Sequence, residues 1–475
     1  MITGKILKLN GWPDGKIIGL AKAAAEQLEA DAFGDRDSIL ARLDSVRQNP
    51  GSFLADPLLA GLARECLRLA QRQESKQDDT LRTLPLQYRV WGEEHIDGEA
   101  MRQMDSAMRL PISAAGALMP DAHVGYGLPI GGVLAASGVV IPYAVGVDIA
   151  CRMRLSIYEV SPHLIGQKQG QFEKSLLEQT QFGIGAEWKG SRRAEHAVLD
   201  DPAWSATRLL RSLQDNARRQ LGTSGTGNHF VEWGTFSLKQ DAPELGLKGG
   251  EYLALLSHSG SRSVGFKIAD FYSKLAMEKH PALDKSARHL SWLTLDSEEG
   301  QEYWLSMELA GRFASANHYV IHHRVAAAVG LKELVVVENH HNFAWSESLP
   351  DGRNVIVHRK GATPAGPGVL GVIPGSMGDA GYVVRGKGLA DSLNSASHGA
   401  GRQMSRKAAI HSITKTARDA YLRERGVTLL GGGLDESPQA YKPIESIIAA
   451  QSDLVEIIGK FTPRLVRMAD EPGDI

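Results

Sequence analysis

Over roughly the first 85 residues, apolar side chains recur at helical intervals. Ile39, Leu40, Leu43 and Val46 follow Asp37-Ser38, and Leu58, Leu59, Leu62, Leu67 and Leu69 surround Cys66. Positions three and four apart share one face of a 3.6-residue turn, so the spacing predicts amphipathic helices. The run Gln71 to Asp79 (Gln-Arg-Gln-Glu-Ser-Lys-Gln-Asp-Asp) has no such face and reads as a linker. From Leu118 onward the texture changes. Gly-rich turns separate short β-branched runs such as Gly132-Val-Leu-Ala and Gly138-Val-Val-Ile, and helical stretches alternate with them at Trp304 to Ala328 and Gly401 to Arg423. The expected class is α+β: a small helical region, residues 1–85, then a larger domain, residues 86–475, of mixed sheets and flanking helices with functional loops on Gly-rich turns. No repeat of fixed period appears.

Composition narrows the possible functions. A chain of 475 residues can bury a substantial core and carry a small appendage. Lys+Arg number 53 against Asp+Glu 55, which excludes the global basic field of a nonspecific nucleic-acid binder; any nucleic-acid contact must be local. Only Cys66 and Cys151 occur, far apart, and Met-Ile-Thr-Gly-Lys opens no charged lead with a secretory apolar stretch, so reduced thiols and the cytoplasm are expected. No apolar run reaches the roughly 18 residues of a membrane span. Cys66 reads as a buried helix residue, since a metal ligand would have partners nearby.

Chemistry-bearing residues cluster in six short segments. Gly146-Val-Asp-Ile-Ala-Cys151 sets Asp148 three residues from Cys151. The others are Pro120-Asp-Ala-His123, Gly227-Asn-His-Phe-Val-Glu232, Ser257-His-Ser-Gly-Ser-Arg262, Glu338-Asn-His-His-Asn342 and Ser397-His-Gly-Ala-Gly-Arg402. A thiolate, a carboxylate and imidazoles suit a borderline transition metal such as Mn, Fe, Co or Zn, whereas Mg or Ca would favour oxygen alone. His229, His258 and His341 each sit in a Gly-, Asn- or Ser-rich turn, which suits exposure of a ligand better than core packing. Asp148, Cys151 and these three imidazoles make five ligands, too many for one tetrahedral site; a thiolate bridging two ions accommodates all of them. His340 and His341 are adjacent, and on an extended segment they point to opposite faces, so only one should meet a given metal. His322 and His323 lie in a helical stretch and read as packing or surface residues. In Ser397-His-Gly-Ala-Gly-Arg402 the glycines would let backbone N–H groups approach a phosphate, with Arg402 neutralising it and the nucleophile His398 at the centre. Ile373-Pro-Gly-Ser-Met-Gly378 adds a tight turn and His358-Arg-Lys-Gly361 adds cations.

Taken in order, Met119-Pro-Asp-Ala-His-Val-Gly125, Val145-Gly-Val-Asp-Ile-Ala-Cys151, Gly225-Thr-Gly-Asn-His-Phe230, His258-Ser-Gly-Ser-Arg262, His341-Asn342, Arg359-Lys-Gly-Ala362, Pro374-Gly-Ser-Met-Gly378, Ser397-His-Gly-Ala-Gly-Arg402 and Asp435-Glu-Ser-Pro-Gln-Ala-Tyr-Lys442 resemble the RtcB family of RNA ligases. The resemblance runs from about Leu118 to Val466 and leaves the region before about Leu86 outside the family's shared core. It implies an RtcB-like catalytic domain and a GTP- and Mn(II)-dependent ligase joining an RNA 3′-phosphate or 2′,3′-cyclic phosphate to a 5′-hydroxyl. By the same motifs, Asp148, Cys151 and His229 would hold one manganese and Cys151, His258 and His341 the second, with His341 rather than His340 the ligand. His398 would take GMP from GTP as a guanylyl phosphoramidate and pass it to the RNA 3′-phosphate before the 5′-hydroxyl displaces it.

The resemblance also implies that Asn228 contacts the GTP phosphates, that Phe230 and Tyr441 flank the guanine, and that Glu232 and Ser376 bond its edge. Gly399, Ala400, Gly401 and Arg402 would cradle the nucleotide, and Arg262, Arg402 and Arg406 the RNA terminal phosphate. Asp121, His123 and Asn342 would support the ligands from behind, and an archease-type activating partner is also implied. The chain departs from the family at Ala150, Arg152 and Ser263, where glycine is usual, and at Gly381, where serine is frequent. It has Asp470-Glu-Pro-Gly-Asp-Ile475 where many members end in Lys-Gly. Two other classes share parts of this pattern. A metal-dependent phosphodiesterase would not need His398 in a phosphate turn or Glu232 near it. A noncatalytic RNA-end sensor would tolerate loss of ligands that are all intact here.

Overall fold

The computed structural model describes residues 2–13, 15–67, 69 and 79–470. Most of the expected linker, residues 71–78, and the terminal residues 471–475 lie outside them. Two compact units form, Met1–Thr80 and Leu81–Ile475. Leu81 packs against the cluster of Met104, Met108 and Leu118, so residues 81–85, expected in the first region, belong to the second unit.

In the first unit, helices Gly4–Leu9, Lys16–Ala30 and Arg36–Gln48 and the helical residues 60–67 enclose Leu7, Trp12, Ala21, Leu28, Ile39, Leu43, Val46, Leu62 and Cys66. The Arg36–Gln48 helix is capped by Asp35, whose carboxylate accepts from Ser38 N at 2.9 Å, one turn before the apolar stripe begins.

The second unit mixes helices with two principal sheets. A five-stranded sheet runs in the order Arg89–Val90, Ser113–His123, Ile130–Ala136, Asn354–Lys360 and Phe343–Ser348. The larger sheet runs in the order Leu370–Ile373, Gly381–Gly386, Val455–Met468, Phe230–Leu238, Gly250–Ser259, Arg152–Tyr158 and Val335–His340, with neighbours antiparallel, and Thr428–Leu430 adds to Val455–Met468 in parallel. Both faces of this sheet are covered, so its central strands carry apolar side chains on both sides instead of alternating with polar ones. On Gly250–Ser259, Leu253 and Leu255 face Ile321 and Val325 of the Glu298–Ala328 helix, while Ala254 and Leu256 face Phe461, Phe236 and Met377. This alternation sends Ser257 and Ser259 toward the helix and His258 the other way.

The helix expected at Gly401 to Arg423 is broken. It forms as Arg406–Ser412 and Lys415–Glu424 because Ser405 and Thr414 turn their hydroxyls onto Ala408 N and Ala417 N and start each helix afresh. The loop this leaves at 398–405 carries His398. Trp304 to Ala328 is helical as part of Glu298–Ala328, whose buried Phe313 joins Ile149, Ala150, Val264 and Ile268 in the core beneath the Asp148–Cys151 turn. Phe313→Ala should lower the stability of the second unit by about 3–5 kcal/mol, read as a fall in the urea midpoint.

Candidate metal centre and active site

Four strand ends deliver the site. Cys151 immediately precedes Arg152–Tyr158, His229 precedes Phe230–Leu238, His258 is the penultimate residue of Gly250–Ser259, and His341 follows Val335–His340. Because neighbouring strands are antiparallel, two starts lie beside two ends, and Met153 and Phe230 both stand opposite His258. Asp148 arrives from the preceding turn, closed by Cys151 N donating to its carbonyl at 3.2 Å. Cys151 thus meets residues 78 and 107 positions away in sequence at one edge.

Cys151 Sγ lies 3.0 Å from His258 Nε2 and 3.4 Å from His229 Nε2. Asp148 Oδ2 is 3.0 Å from His229 Nε2, and His258 Nε2 is 3.4 Å from His341 Nε2. Two triads, Asp148-Cys151-His229 and Cys151-His258-His341, each keep their donor atoms within 4.8 Å and share the sulfur. His258 donates from Nδ1 to the Asn228 carbonyl at 3.0 Å, which leaves a bare lone pair on the Nε2 that faces the sulfur. Desolvation pushes the Cys151 thiol well above its ordinary range, with Asp148 adding to the effect, and pushes His258 and His341 well below theirs. Desolvation acts most strongly on Asp148 and in the raising direction, but the hydrogen bond and charge of His229, the bond with Cys151 and the Arg262 guanidinium together outweigh it and hold the carboxyl low. Soft and borderline donors aimed at one another in a buried space suit a borderline transition cation at each triad.

The surroundings fix these donors. Asn342, in the left-handed region at φ 56°, donates from Nδ2 to the Asp148 carbonyl at 3.2 Å and accepts from Gly361 N at 2.8 Å. Gly260 lies so close to the Asp148 carboxylate that any Cβ there would collide with it. His340 turns away and packs on Phe343 and Trp345 with ring centroids at 5.0 and 5.2 Å. His322 is buried in a hydrogen-bonded array, whereas His323 is exposed and stacks on Tyr319.

His398 stands beside the second triad, its ring centroid 4.7 Å from that of His341. Its Nδ1 bonds the wholly buried Asp121 Oδ2 at 2.7 Å. A carboxylate only accepts, so Nδ1 carries the proton and Nε2 offers the lone pair. Asp121 is therefore joined to His398 and not to a metal ligand. His123 bonds the Asp121 carbonyl at 3.0 Å, and burial pushes its pKa down to about 4. Gly401, at φ 73°, passes so near the Asp121 carbonyl that a side chain would overlap it. Ala400 is buried, and Gly399 lies against the Pro374 carbonyl.

The arginines are engaged. Arg402 donates to Glu436 Oε2 at 3.2 Å, the Asp435 carbonyl at 2.6 Å and Tyr441 Oη at 3.3 Å, while Arg406 pairs with Asp435 at 2.7 Å and Glu436 at 2.5 Å. Arg262 instead donates to the Gly183 carbonyl at 2.8 Å and Thr223 Oγ1 at 3.1 Å, and burial lowers it to about 10 against the pull of Asp148. Asn228 is exposed beside the triads. Phe230 lies 5.8 Å from the His258 ring and shares an apolar cluster with Met377. Glu232 is buried with Oε2 unpartnered, and desolvation raises its pKa well above the ordinary value. Ser376 donates to Asp379. A cavity of about 470 Å³ lined by Gly378, Asp379, Tyr421, Arg425, Tyr441 and Lys442 adjoins that turn, but neither Phe230 nor Glu232 lines it.

Three residues had no individual role in the sequence reading. Lys442 donates to the carbonyls of Pro120 (3.2 Å) and Ala122 (2.7 Å), clamping the backbone on both sides of Asp121. Glu436 gathers both arginines, and Lys360 donates to the Tyr126 carbonyl, with burial pushing it down to about 7. Lys442 and Glu436 lie in the Asp435–Lys442 motif, but only its tyrosine had a stated role; their contacts cross up to 322 residues.

Fold and site together define a protein with a two-cation donor set around one cysteine, next to a carboxylate-held histidine. Residues 103–469 match the family described as tRNA-splicing ligase RtcB. The chain is 32% identical over 401 residues to the RNA-splicing ligase RtcB of Escherichia coli strain K12, covering 76% of this chain and 92% of that protein. It is 31% identical over 417 residues to the tRNA-splicing ligase RtcB of Thermococcus kodakarensis (73% and 86% covered) and 31% over 429 residues to the RNA-splicing ligase RtcB of Mycobacterium bovis (76% and 98%). The chain belongs to the RtcB family. None of its described helices is long and apolar enough to cross a membrane.

If the sulfur serves both triads, Cys151→Ala should abolish divalent transition-cation uptake at both, whereas His341→Ala should abolish it at one. Titration calorimetry with elemental analysis of the loaded protein gives the stoichiometry.

Proposed function

We propose that this chain is a GTP- and Mn(II)-dependent RNA ligase that joins 3′-phosphate or 2′,3′-cyclic phosphate ends to 5′-hydroxyl ends. The observation that carries the reading is the Asp121–His398 bond at 2.7 Å, which presents an imidazole lone pair beside the donor sets. A phosphodiesterase would have no use for a nucleophile so prepared. The relatives named as RNA-splicing and tRNA-splicing ligases support the same reading.

Asp148, Cys151 and His229 would hold one Mn(II), and Cys151, His258 and His341 the other. When bound, the ions supply Lewis-acid charge to phosphate oxygens. The chain's own residues do the rest. His398 Nε2 attacks the α-phosphorus of GTP; a P–N bond forms, the bond to pyrophosphate breaks, and Asp121 stabilises the charge that builds on the ring. An oxygen of the RNA 3′-phosphate then attacks the same phosphorus, and the P–N electron pair returns to Nε2. The RNA end now carries a pyrophosphate-linked guanosine. The 5′-hydroxyl attacks the RNA phosphorus, loses its proton, and displaces GMP as the phosphodiester forms. A cyclic end is first hydrolysed to the 3′-phosphate. Arg262, Arg402 and Arg406 would hold the terminal phosphates, with Asn228 on those of GTP and the Gly399–Arg402 turn around them.

Guanine would lie between Phe230 and Tyr441, with Ser376 and Glu232 at its edge. The unpartnered buried carboxyl of Glu232 supports this, because guanine offers the N1–H and N2–H donors that adenine lacks. Asp121, His123 and Asn342 would hold the nucleophile and the metal loop in place. Partners are RNA ends and, by family likeness, an archease-type activator.

Label from α-labelled GTP should transfer to the wild-type protein with Mn(II) and not to His398→Ala; transfer from ATP instead, or from no nucleotide, would refute the reading. Asp121→Asn should slow labelling about 100-fold or more, since the ring loses the partner that orients and charges it. Guanine nucleotide binding should release protons. Desolvation holds the Glu232 pKa well above its ordinary value when the site is free, and the donors of guanine favour its charged form, so the pKa falls on binding. Calorimetry in two buffers of different ionisation enthalpy should show the release in wild type and not in Glu232→Gln.

A further inference from the structure

Behind the donor sets, on the opposite face of the Gly250–Ser259 strand, lies a buried chain of hydrogen bonds that the reaction does not use. His318 Nε2 is 3.1 Å from the Ser259 carbonyl, and His318 Nδ1 is 2.7 Å from Ser257 Oγ. Ser257 Oγ is also 2.8 Å from His322 Nε2, and His322 Nδ1 is 2.7 Å from Ser156 Oγ. Ser156 Oγ reaches Glu333 Oε2 at 2.9 Å, a carboxylate that Arg154 also holds, at 3.2 Å. His318 and His322 are four apart on the Glu298–Ala328 helix, so both rings meet the strand from one face. Asn317 adds weaker contacts from Nδ2 to Ser259 Oγ (3.4 Å) and the Gly260 carbonyl (3.5 Å).

Counting hydrogens shows that one link of the chain must go without. A carbonyl closes one end and a carboxylate the other, and both only accept. Two neutral rings and two hydroxyls supply four hydrogens for five links. Burial pushes His318 down to about 3 and His322 well below its ordinary range, with the guanidinium of Arg154 acting in the same direction on both, so the rings are neutral. Ser156 Oγ has one hydrogen and two acceptors: it donates to Glu333 Oε2 as the structure stands, and because Glu333 is partly exposed and already paired with Arg154, the relay requires that hydrogen to turn to His322 Nδ1. The other four then run one way: Ser156 Oγ–H to His322 Nδ1, His322 Nε2–H to Ser257, Ser257 Oγ–H to His318 Nδ1, and His318 Nε2–H to the Ser259 carbonyl.

That carbonyl matters because the 258–260 segment touches three of the five donors. His258 is one. The Ser259 carbonyl lies 3.4 Å from Cys151 Sγ, and Gly260 presses on the Asp148 carboxylate. With Cys151 as a thiolate ligand, a free carbonyl oxygen at that distance would repel the sulfur. An N–H on the oxygen withdraws charge from it and holds the peptide plane.

We propose that His318 and His322 are positioning residues of the metal centre, acting as neutral Nε2–H tautomers in a one-way relay that fixes the Ser259–Gly260 peptide against Cys151 and Asp148. This rests on the metal-centre reading above, and the test separates the two.

Selective ¹⁵N-histidine labelling of the metal-free full chain reads the tautomers directly: both rings should be neutral and protonated at Nε2, and an Nδ1–H tautomer or an imidazolium at either position overturns the relay. His318→Leu should weaken Mn(II) binding about tenfold and shift the thiolate-to-metal absorption of the Co(II)-loaded protein. His318→Gln, whose amide nitrogen can occupy the place of Nε2, should restore most of both. Equal loss in the two variants, or a fall in melting temperature with the metal affinity and Co(II) spectrum unchanged, would reduce the pair to a packing role and overturn the proposal. Absence of Mn(II) binding by the unaltered chain would sink the metal-centre reading, and the positioning role with it, while the tautomers still decide whether the relay exists.

Discussion

Everything at the site depends on burying five donor atoms whose best partners are one another. A thiol, a carboxylate and three imidazoles at the edge of one antiparallel sheet lose water on folding, and the protein returns few hydrogen bonds: Nδ1 of both His229 and His341 is buried without a partner. Such a cluster holds its shape only if the backbone leaves the donors no alternative. The turns around them are accordingly tense. Ala150, Arg262 and Asn342 all lie at φ 56°, a left-handed conformation costing about 1–3 kcal/mol each for a residue with a side chain, and each sits next to a donor or near one. The strain is offset by packing from the Glu298–Ala328 helix and by specific bonds, such as Asn342 bridging the Asp148 carbonyl and Gly361.

The same dependence explains the departures from the family's glycines. Ala150 is buried in the apolar core beneath the Glu298–Ala328 helix, beside Ile149 and Phe313, so its methyl adds to that packing. Arg152, next to the sulfur that both triads share, is drawn away from it by Glu338, which Arg154 also holds at 3.0 Å and Ser315 at 2.9 Å. Ser263 is absorbed by Gln220, which accepts from its backbone N–H at 3.1 Å and its hydroxyl at 2.7 Å. In each case the added atoms find a partner on a neighbouring helix or strand, and no donor is displaced.

Mixed helices and sheets are legible in the alternation of Gly-rich turns with β-branched runs and periodic helices. Five metal-type donors are legible too, Asp148 and Cys151 by their spacing and His229, His258 and His341 by their Gly-, Asn- and Ser-rich surroundings, although the expected exposure is not found: the thiol and the imidazoles are buried and His258 lies within a strand. What is illegible depends on distance in sequence or on local competition. Nothing near Asp121 reveals that its partner is a histidine 277 residues away. Nothing near Lys442 says that its ammonium closes over the backbone beside that aspartate. Ser405 and Thr414 look like ordinary helix residues by periodicity, and only their hydroxyl bonds show where helices begin. His318 and His322 resemble packing residues because helical spacing does not say whether a buried face meets leucines or serines; here the strand presents Ser257 and Ser259.

His398 stands where two opposite electrostatic demands meet. On the side of His341 the donors become anionic as they take up cations, through the Cys151 thiolate and Asp148. On the side of the Gly399–Arg402 turn the demand is for positive charge, and Arg402 and Arg406 supply it from a reserve already neutralised by Glu436 and Asp435. Glu436 is buried, and desolvation raises its pKa even against the two guanidiniums, so its hold on them is weaker than a fully charged carboxylate's would be. A phosphate, more highly charged and bringing more acceptor oxygens, can draw both arginines off that carboxyl without leaving it bare, because Glu436 retains the hydrogen bond donated by the Tyr441 hydroxyl. The arginines are thus held with their charge masked in the segment that follows His398, a cheaper state than two unpaired guanidiniums. Under the proposed function, such an arrangement would let one loop stay folded both with and without a polyphosphate.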